Sequence, residues 1–216
     1  MSRVSVFILV VLASCSKKAV DQKAIHKNED SLVQNLQSLH RENTEDTVSV
    51  PFSKSLKGNG YVYTLKGLES PNGAISFKSV SIFYKNRLHQ KITVDTVFVL
   101  NEREVVFDVS QDANFDGYKD IELINWAGNY AYSSSFWLYD KKSKKYAHYK
   151  PLDTIQNIEI NRQRKEITSN YHIGPVNTYS KVYQWQKGKL LLMSAHIEEE
   201  GEETNIYRKN GKIIVE

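Results

Sequence analysis

The sequence predicts an all-β protein with one antiparallel β-domain, and three observations support this prediction. The 216-residue chain contains 13 Tyr and 8 Phe but only 4 Pro, and aromatic residues suit the pleated, half-buried surface of a sheet. From Tyr61 onward, apolar and polar residues alternate in short runs separated by turn residues, as in half-buried strands. No long amphipathic helix separates these runs, which argues against a parallel βαβ sheet. A sandwich, a barrel-like sheet and a small propeller-like arrangement all fit this pattern.

The first 14 residues predict a signal peptide for export. Arg3 precedes an apolar run over residues 4–12, which is too short for a transmembrane helix of about 20 residues but typical of a secretory signal. The sequence LASC at residues 12–15 is similar to a bacterial lipobox, and Cys15 is the only cysteine in the chain. An incidental cysteine in an ordinary signal is the alternative, but it would leave an exported protein with an unpaired thiol. We therefore expect Cys15 to be lipidated and to anchor the protein to a bacterial membrane, facing the periplasm and most naturally at the outer membrane.

Residues 15–50 predict a flexible tether between this anchor and the folded domain. The segment is polar and charged and contains no aromatic residue after Cys15, a composition that disfavours a packed core. Leu32, Leu36 and Leu39 recur at helical spacing, so one short amphipathic helix is an alternative for this part. We place the β-domain at residues 51–216.

Strand-like runs fill the predicted domain, and eight to twelve strands are expected. The runs cover residues 61–67, 75–85, 91–100, 104–109, 121–126, 133–140, 144–150, 157–161, 165–172, 179–200 and 205–216. Three Asn-Gly dipeptides, at residues 59–60, 72–73 and 210–211, accept the positive φ that tight hairpins require. Residues 186–189 (QKGK) predict a further hairpin turn.

The loop DANFDGYKD, residues 112–120, has the spacing of a calcium-binding loop. Such loops take oxygen ligands from positions 1, 3, 5, 7 and 9, with the backbone carbonyl used at position 7. These positions fall on Asp112, Asn114, Asp116, Tyr118 and Asp120. Gly117 stands at position 6, where the chain must turn sharply. Hard oxygen ligands suit Ca²⁺ rather than Zn²⁺, so the pattern predicts a Ca²⁺ site; the alternative is a turn whose side chains bond only their own backbone.

The surroundings of the loop predict a structural ion. Position 12 is Leu123 rather than the Glu of an EF-hand, and the flanking runs are strand-like, whereas an EF-hand loop joins two helices. A catalytic metal needs an open coordination position and acid–base groups nearby, but no His lies within twenty residues of the loop. We expect the ion to stabilise the fold.

The strand that contains Phe136 and Trp137 offers a candidate surface for sugars or for a partner. Tyr130, Tyr132 and Trp137 would be its stacking residues. However, the continuous apolar run 136–139 indicates burial on both faces of a strand, and core packing is the better interpretation.

Other functional classes find little support in the sequence. The net charge of +4 is small and the basic residues are scattered, so we expect no nucleic-acid surface. The six His residues show no metal spacing, and no G-x-S-x-G motif, cysteine nucleophile or glycine-rich phosphate loop is present. Two charged segments, KKSKK at 141–145 and EEEGEE at 198–203, are interpreted as exposed turns.

Residues 102–193 resemble the bacterial FG-GAP/VCBS-like calcium-loop lipoproteins. The resemblance depends on the loop DANFDGYKD, the strand FWLYD at 136–140 and the later run KEITSNYHIGPVNTYSKVYQWQKGKLLL. This family includes immunity lipoproteins that protect the periplasm against peptidoglycan hydrolases delivered by type IV secretion, and it shares features with periplasmic lysozyme inhibitors. The resemblance implies Ca²⁺ ligation by the five loop residues named above.

Three hypotheses for function follow. The first is a non-enzymatic, lipid-anchored periplasmic protein with a structural Ca²⁺ that binds another protein and inhibits a peptidoglycan hydrolase. The second is a glycan-binding module of the cell envelope that uses Tyr130, Tyr132 or Trp137. The third is a hydrolase whose catalytic carboxylates the sequence does not identify, since their separation is a property of the fold.

Overall fold

Strands dominate the computed structural model, which describes residues 48–94, 98–128 and 130–216. Fifteen strands of the described residues form three antiparallel sheets, so the all-β, antiparallel prediction is confirmed. Two short 3₁₀-helices, Glu102–Glu104 and Lys150–Leu152, complete the described secondary structure. The predicted signal peptide, Cys15 and the tether up to residue 47 lie outside the described residues.

The first sheet, sheet A, is a meander in the order β1-β2-β3-β4, with β5 paired to β3. Its strands are β1 (Val50–Gly58), β2 (Tyr61–Glu69), β3 (Ile75–Tyr84), β4 (Arg87–Thr93) and β5 (Phe98–Val99). Asn59 and Gly60 join β1 to β2 with φ of 52° and 79°, as a two-residue hairpin turn of the primed type requires. Lys85 and Asn86 make an equivalent turn with φ of 46° and 63°.

The second sheet, sheet B, has the order β6-β7-β8-β9. Its strands are β6 (Phe107–Asp108), β7 (Ile121–Ala127), β8 (Tyr132–Asp140) and β9 (Lys145–His148). The third sheet, sheet C, runs in order from β10 to β15. Its strands are β10 (Ile158–Asn161), β11 (Glu166–Ile173), β12 (Asn177–Gln186), β13 (Lys189–Glu199), β14 (Glu202–Lys209) and β15 (Lys212–Val215).

Sheet B packs between the other two sheets. Neighbouring residues of a strand point to opposite faces, and on β8 Trp137 joins a core with residues of sheet A, such as Leu65 and Ile82. Its neighbour Phe136 joins a second core with Ile158 and Ile167 of sheet C. The continuous apolar run of this strand is therefore buried on both faces, as its sequence predicts. The domain therefore consists of three stacked open sheets, and among the described residues none closes into a barrel.

Some elements differ from the sequence-based expectation. Strand β1 was not predicted, because its sequence VPFSKSLKG carries Pro51 and alternating Lys and Ser; it lies at the edge of sheet A, where a proline is tolerated. The run 104–109 was expected to be one strand but pairs only over Phe107–Asp108. The predicted turn at 198–203 is confirmed, with Glu200 and Gly201 at φ of 52° and 86°. In the described part of the chain, no helix has the length and apolar character to cross a membrane.

Candidate functional site

The acidic loop 112–120 is a hairpin connection between β6 and β7. These strands pair through Phe107 with Leu123 and Asp108 with Glu122. Below the loop, the backbone N–H of Asp120 donates to the carbonyl oxygen of Gln111 at 2.8 Å. The strand flanks expected from the sequence are therefore confirmed, and the loop is not part of a helix-loop-helix.

The first half of the loop folds around Asp112. Its Oδ1 accepts the backbone N–H of Asp116 at 3.1 Å, and its Oδ2 accepts that of Gly117 at 2.9 Å. Gly117 has φ of 90°, a conformation that disfavours any residue with a Cβ. Glycine at this position is thus required by the turn.

Asn114 and Asp116 lie side by side in the exposed part of the loop. The Nδ2 of Asn114 donates to Oδ2 of Asp116 at 2.9 Å, and Oδ1 of Asp116 accepts the backbone N–H of Tyr118 at 2.9 Å. The side chains at positions 1, 3 and 5 are thereby gathered within one turn.

Asp120 is the buried member of the loop, with 1% of its surface exposed. Its carboxylate accepts backbone N–H groups from Ala113 at 2.8 Å and from Tyr139 on β8 at 2.9 Å. Burial raises the pKa of Asp120 to about 7, the two backbone donors lower it, and the charges of Asp116 and Asp112 raise it further. A cation beside this carboxylate would oppose that rise, because an opposite charge favours the ionised form.

The loop residues fit a hard cation by chemistry, although the carboxylates do not converge on one point. Among the described residues, no three His, Cys, Asp or Glu side chains form a cluster that by itself would hold a metal ion. Each carboxylate oxygen can accept two hydrogen bonds or ligands, so the bonds of Asp112, Asp116 and Asp120 leave acceptor positions free. The predicted site therefore has oxygen ligands of the expected kind, but they are not arranged around one point, and Ca²⁺ binding stays a prediction.

The loop also contacts sheet C. Ala113 is fully buried in the core shared with that sheet, and its carbonyl oxygen accepts the indole N–H of Trp185 on β12 at 2.7 Å. Just before the loop, the carbonyl oxygen of Ser110 accepts a hydrogen bond from Arg162 at 2.7 Å. The loop is held by both sheets B and C.

On its other side the loop borders a cleft of about 530 Å³ between sheets A and B, called the tyrosine cleft below. Its lining residues are Asn59, Tyr61, Tyr84, His89, Gly117, Tyr118, Lys119, Tyr139, Lys144 and Tyr146. Five of these residues belong to a continuous row of six tyrosine rings, in which Tyr63 is fully buried. The order of the row is Tyr84, Tyr61, Tyr63, Tyr146, Tyr139 and Tyr118. Consecutive ring centroids of this row lie 5.2 to 6.1 Å apart, the range of favourable aromatic pairs.

The three candidate aromatic residues of the sequence are only partly brought together. Tyr130 and Tyr132 line one shallow cavity of about 390 Å³, and Tyr130 is 53% exposed and packs on His172 with ring centroids 4.8 Å apart. Trp137 is only 7% exposed, and His148 stacks on its ring at 5.1 Å. Burial against sheet A thus removes Trp137 from any surface platform.

Buried carboxylates are relevant to the hypothesis that the protein is a hydrolase. Asp120 and Glu122 are the buried carboxylates of the described residues, and burial raises the pKa of Glu122. Neither side chain lines the tyrosine cleft or the cavity at Tyr130. The geometry therefore offers no pair of carboxylates facing these two spaces.

Sequence reasoning missed the tyrosine cleft. Its tyrosines come from β2, β3, the loop, β8 and β9, and each one taken alone looks like an ordinary strand residue. The available signal was the excess of Tyr together with lysines in the turns, but pairing them needs the packing of sheet A on sheet B.

Comparison with known proteins gives the fold. No family model and no curated protein matches the chain. The structure is similar to one described as a Xanthomonas type IV secretion system related protein, with a TM-score of 0.56 and 13% sequence identity. The similarity covers 78% of this chain and 97% of that chain, so the protein shares the overall fold of a distant, secretion-system-related protein.

Proposed function

We propose that this protein is a lipid-anchored, non-enzymatic protein of the bacterial envelope that binds another protein and inhibits a peptidoglycan hydrolase. Cys15 carries the lipid anchor, residues up to about 50 span the distance from the membrane, and the β-domain faces the periplasm. Two or three acyl chains give stable anchoring, because each buried CH₂ contributes about 0.8 kcal/mol.

The observation that carries this proposal is the fold shared with the Xanthomonas type IV secretion system related protein over 97% of that chain. It agrees with the sequence resemblance to calcium-loop lipoproteins, some of which protect against hydrolases delivered by type IV secretion. A secretion-related neighbour and an export signal with a lipobox both favour a role in the envelope.

In this proposal, Ca²⁺ has an architectural role. Asp112, Asn114, Asp116 and Asp120 would hold the ion through side-chain oxygens, and Tyr118 through its carbonyl oxygen. A bound Ca²⁺ supplies positive charge between carboxylates that otherwise repel each other. The loop then fixes the junction of β6, β7 and sheet C, which its contacts to Tyr139 and Trp185 already define.

The proposal is tested by titrating purified full-length protein into peptidoglycan hydrolases of several classes, lysozyme-type muramidases first. Hydrolysis of a cell-wall suspension is followed by turbidity, and binding by calorimetry, with 5 mM Ca²⁺ or with chelator. We expect loss of hydrolase activity at near-stoichiometric ratios for at least one class. Absence of binding to every class would contradict the proposed function, and turnover of the wall by this protein alone would replace it with the enzymatic hypothesis.

A glycan-binding module is the second candidate function. The observation in its favour is the cavity that Tyr130 and Tyr132 share. A shift of tryptophan fluorescence on addition of peptidoglycan fragments, if Tyr130→Ala abolishes the shift, would favour glycan binding over protein binding.

A further inference from the structure

We propose that the tyrosine cleft is a binding site for a short anionic saccharide. The cleft lies between sheets A and B, away from the cavity of Tyr130, and its volume of about 530 Å³ falls within the range of small-molecule sites, roughly 300–1,000 Å³. This inference does not rest on the proposed function, since a saccharide site is compatible with several roles in the envelope.

The walls of the cleft have the chemistry that a sugar ring requires. Tyr61, Tyr118 and Tyr139 line the cleft and are half-buried. Each ring therefore packs partly in the protein and partly faces the cleft. The C–H faces of a pyranose pack on such rings, while its hydroxyl groups bond to phenol oxygens at the ring edges. A tyrosine hydroxyl carries its proton at neutral pH, so it can donate as well as accept a hydrogen bond.

The charge of the cleft selects an anion. Lys119 and Lys144 line it, and no Asp or Glu does. At the two ends of the tyrosine row, Lys85 lies over the ring of Tyr84 at 5.4 Å and Lys141 over that of Tyr118 at 5.5 Å. Positive charges on one concave surface raise the local concentration of an anionic ligand.

Two acidic residues next to the cleft keep their negative charge, but hydrogen bonds hold their carboxylates in their own turns. Asp116 accepts the N–H of Tyr118 and the amide of Asn114. Asp140 accepts the backbone N–H groups of Lys142 and Ser143, both at 3.1 Å. These bonds leave both carboxylates ionised, and the lysines of the cleft have no acidic partner among its lining residues.

The cleft is held in shape before any ligand arrives. The side chain of Gln90 makes two hydrogen bonds with the backbone of Tyr146, at 2.8 and 2.9 Å, and so pairs like a strand residue. His89 donates from Nε2 to the carbonyl oxygen of Lys144 at 2.6 Å. These contacts join sheet A to the β8–β9 hairpin, and a preformed site loses less entropy on binding.

The ligand test uses two disaccharides that differ in one O-lactyl group, which carries a carboxylate. N-acetylglucosaminyl-N-acetylmuramic acid carries a lactyl carboxylate, and di-N-acetylchitobiose is its neutral counterpart. Calorimetry with the purified full-length protein is expected to show at least fivefold tighter binding of the acidic disaccharide. That difference disappears at high salt, because exposed ion pairs are screened. A hexa-aspartate peptide is a third probe, and tighter binding of this peptide would overturn the saccharide assignment in favour of a protein segment.

Matched variants locate the site. Tyr84→Ala removes a 45% exposed ring at the end of the row, and Lys119→Gln with Lys144→Gln removes two charges; each is expected to weaken binding of the acidic disaccharide at least fivefold. Trp126→Ala removes a similarly exposed ring, 49%, outside the cleft, and Lys165→Gln with Lys187→Gln removes two exposed turn lysines of sheet C. These control variants are expected to bind like the wild type.

Each outcome decides the proposal. No binding of either disaccharide at millimolar concentration overturns it, as does equal affinity for both. Loss of binding in Tyr130→Ala rather than in Tyr84→Ala overturns it too and moves the site to the other cavity. Failure to inhibit any hydrolase, with saccharide binding retained, overturns only the proposed function.

Discussion

At the scale of single residues, buried hydroxyl and carboxyl groups are the most sensitive points of the molecule. Tyr63 and Tyr146 are 0% and 5% exposed, and their hydroxyl groups share a hydrogen bond of 2.6 Å. This bond crosses the interface of sheets A and B. Burial raises the pKa of both, and for Tyr146 the bond to Tyr63 raises it further.

This pair predicts a loss of stability at alkaline pH. Because the folded-state pKa values lie above the ordinary value of 10, the stabilisation is complete below pH 10 and is lost as the pH rises above it. Urea unfolding between pH 8 and 12 measures the slope of the free energy of unfolding against pH. The variant with both Tyr63→Phe and Tyr146→Phe should lose much of the slope and stay close to wild type at pH 8, whereas Tyr63→Phe alone should cost about 1–3 kcal/mol, because it leaves one buried hydroxyl unpaired. Identical slopes in wild type and double variant would contradict the assignment.

At the scale of elements, the hairpin connection 112–120 gathers three carboxylates in one turn. Its backbone N–H groups bond to Asp112, Asp116 and Asp120 rather than to a partner strand. Three carboxylates within nine residues repel each other, so a bound cation would stabilise this element.

We predict that Ca²⁺ raises the melting temperature and that Asp116→Ala abolishes this rise. With a Kd of about 10⁻⁴–10⁻³ M, typical of extracellular sites, 5 mM Ca²⁺ adds about 1–2 kcal/mol to the free energy of unfolding. For a domain of this size that corresponds to roughly 2–8 °C. Calorimetric melting with Ca²⁺ or chelator measures the rise.

Asp140→Ala is the matched control, because Asp140 also accepts two backbone N–H groups in a turn but lies outside the loop. It should lower the melting temperature slightly and keep the response to Ca²⁺. Wild-type melting that is indifferent to both chelator and Ca²⁺ would show that the loop is held by its own hydrogen bonds alone.

At the scale of the whole molecule, the acidic loop lies where all three sheets meet. Ala113 enters the core with sheet C, Asp120 bonds to Tyr139 of sheet B, and Gly117 to Lys119 line the cleft that faces sheet A. One loop thereby links the packing of both sheet interfaces.

We predict that Trp185→Phe weakens the attachment of sheet C to the rest of the domain. The substitution leaves the buried carbonyl of Ala113 without the indole N–H that it accepts at 2.7 Å, which costs about 1–3 kcal/mol. Amide hydrogen exchange should accelerate more in β10–β15 than in β1–β4. Trp126→Phe is the control, since Trp126 is 49% exposed and should change stability by less than about 0.5 kcal/mol. Equal effects of the two variants would show that the Trp185 bond has no special role.

Much of the fold could be predicted from local chemistry. The Asn-Gly turn at 59–60 needs positive φ, and the alternation in β2 matches its burial pattern. Strand β1 escaped prediction because Pro51 and its lysines are tolerated only at a sheet edge, and edges are set by tertiary pairing.

The sequence by itself determined the all-β class, the hairpin turns and the composition and spacing of the acidic loop, because each depends on residues that are close along the chain. Only the tertiary structure decided that sheet A is what covers Trp137, whose burial the apolar run 136–139 already predicts. It also decided that tyrosines between residues 61 and 146 form one row, because sheet stacking brings together residues that are distant in sequence. The acidic loop therefore both links the sheets and forms one wall of the tyrosine cleft.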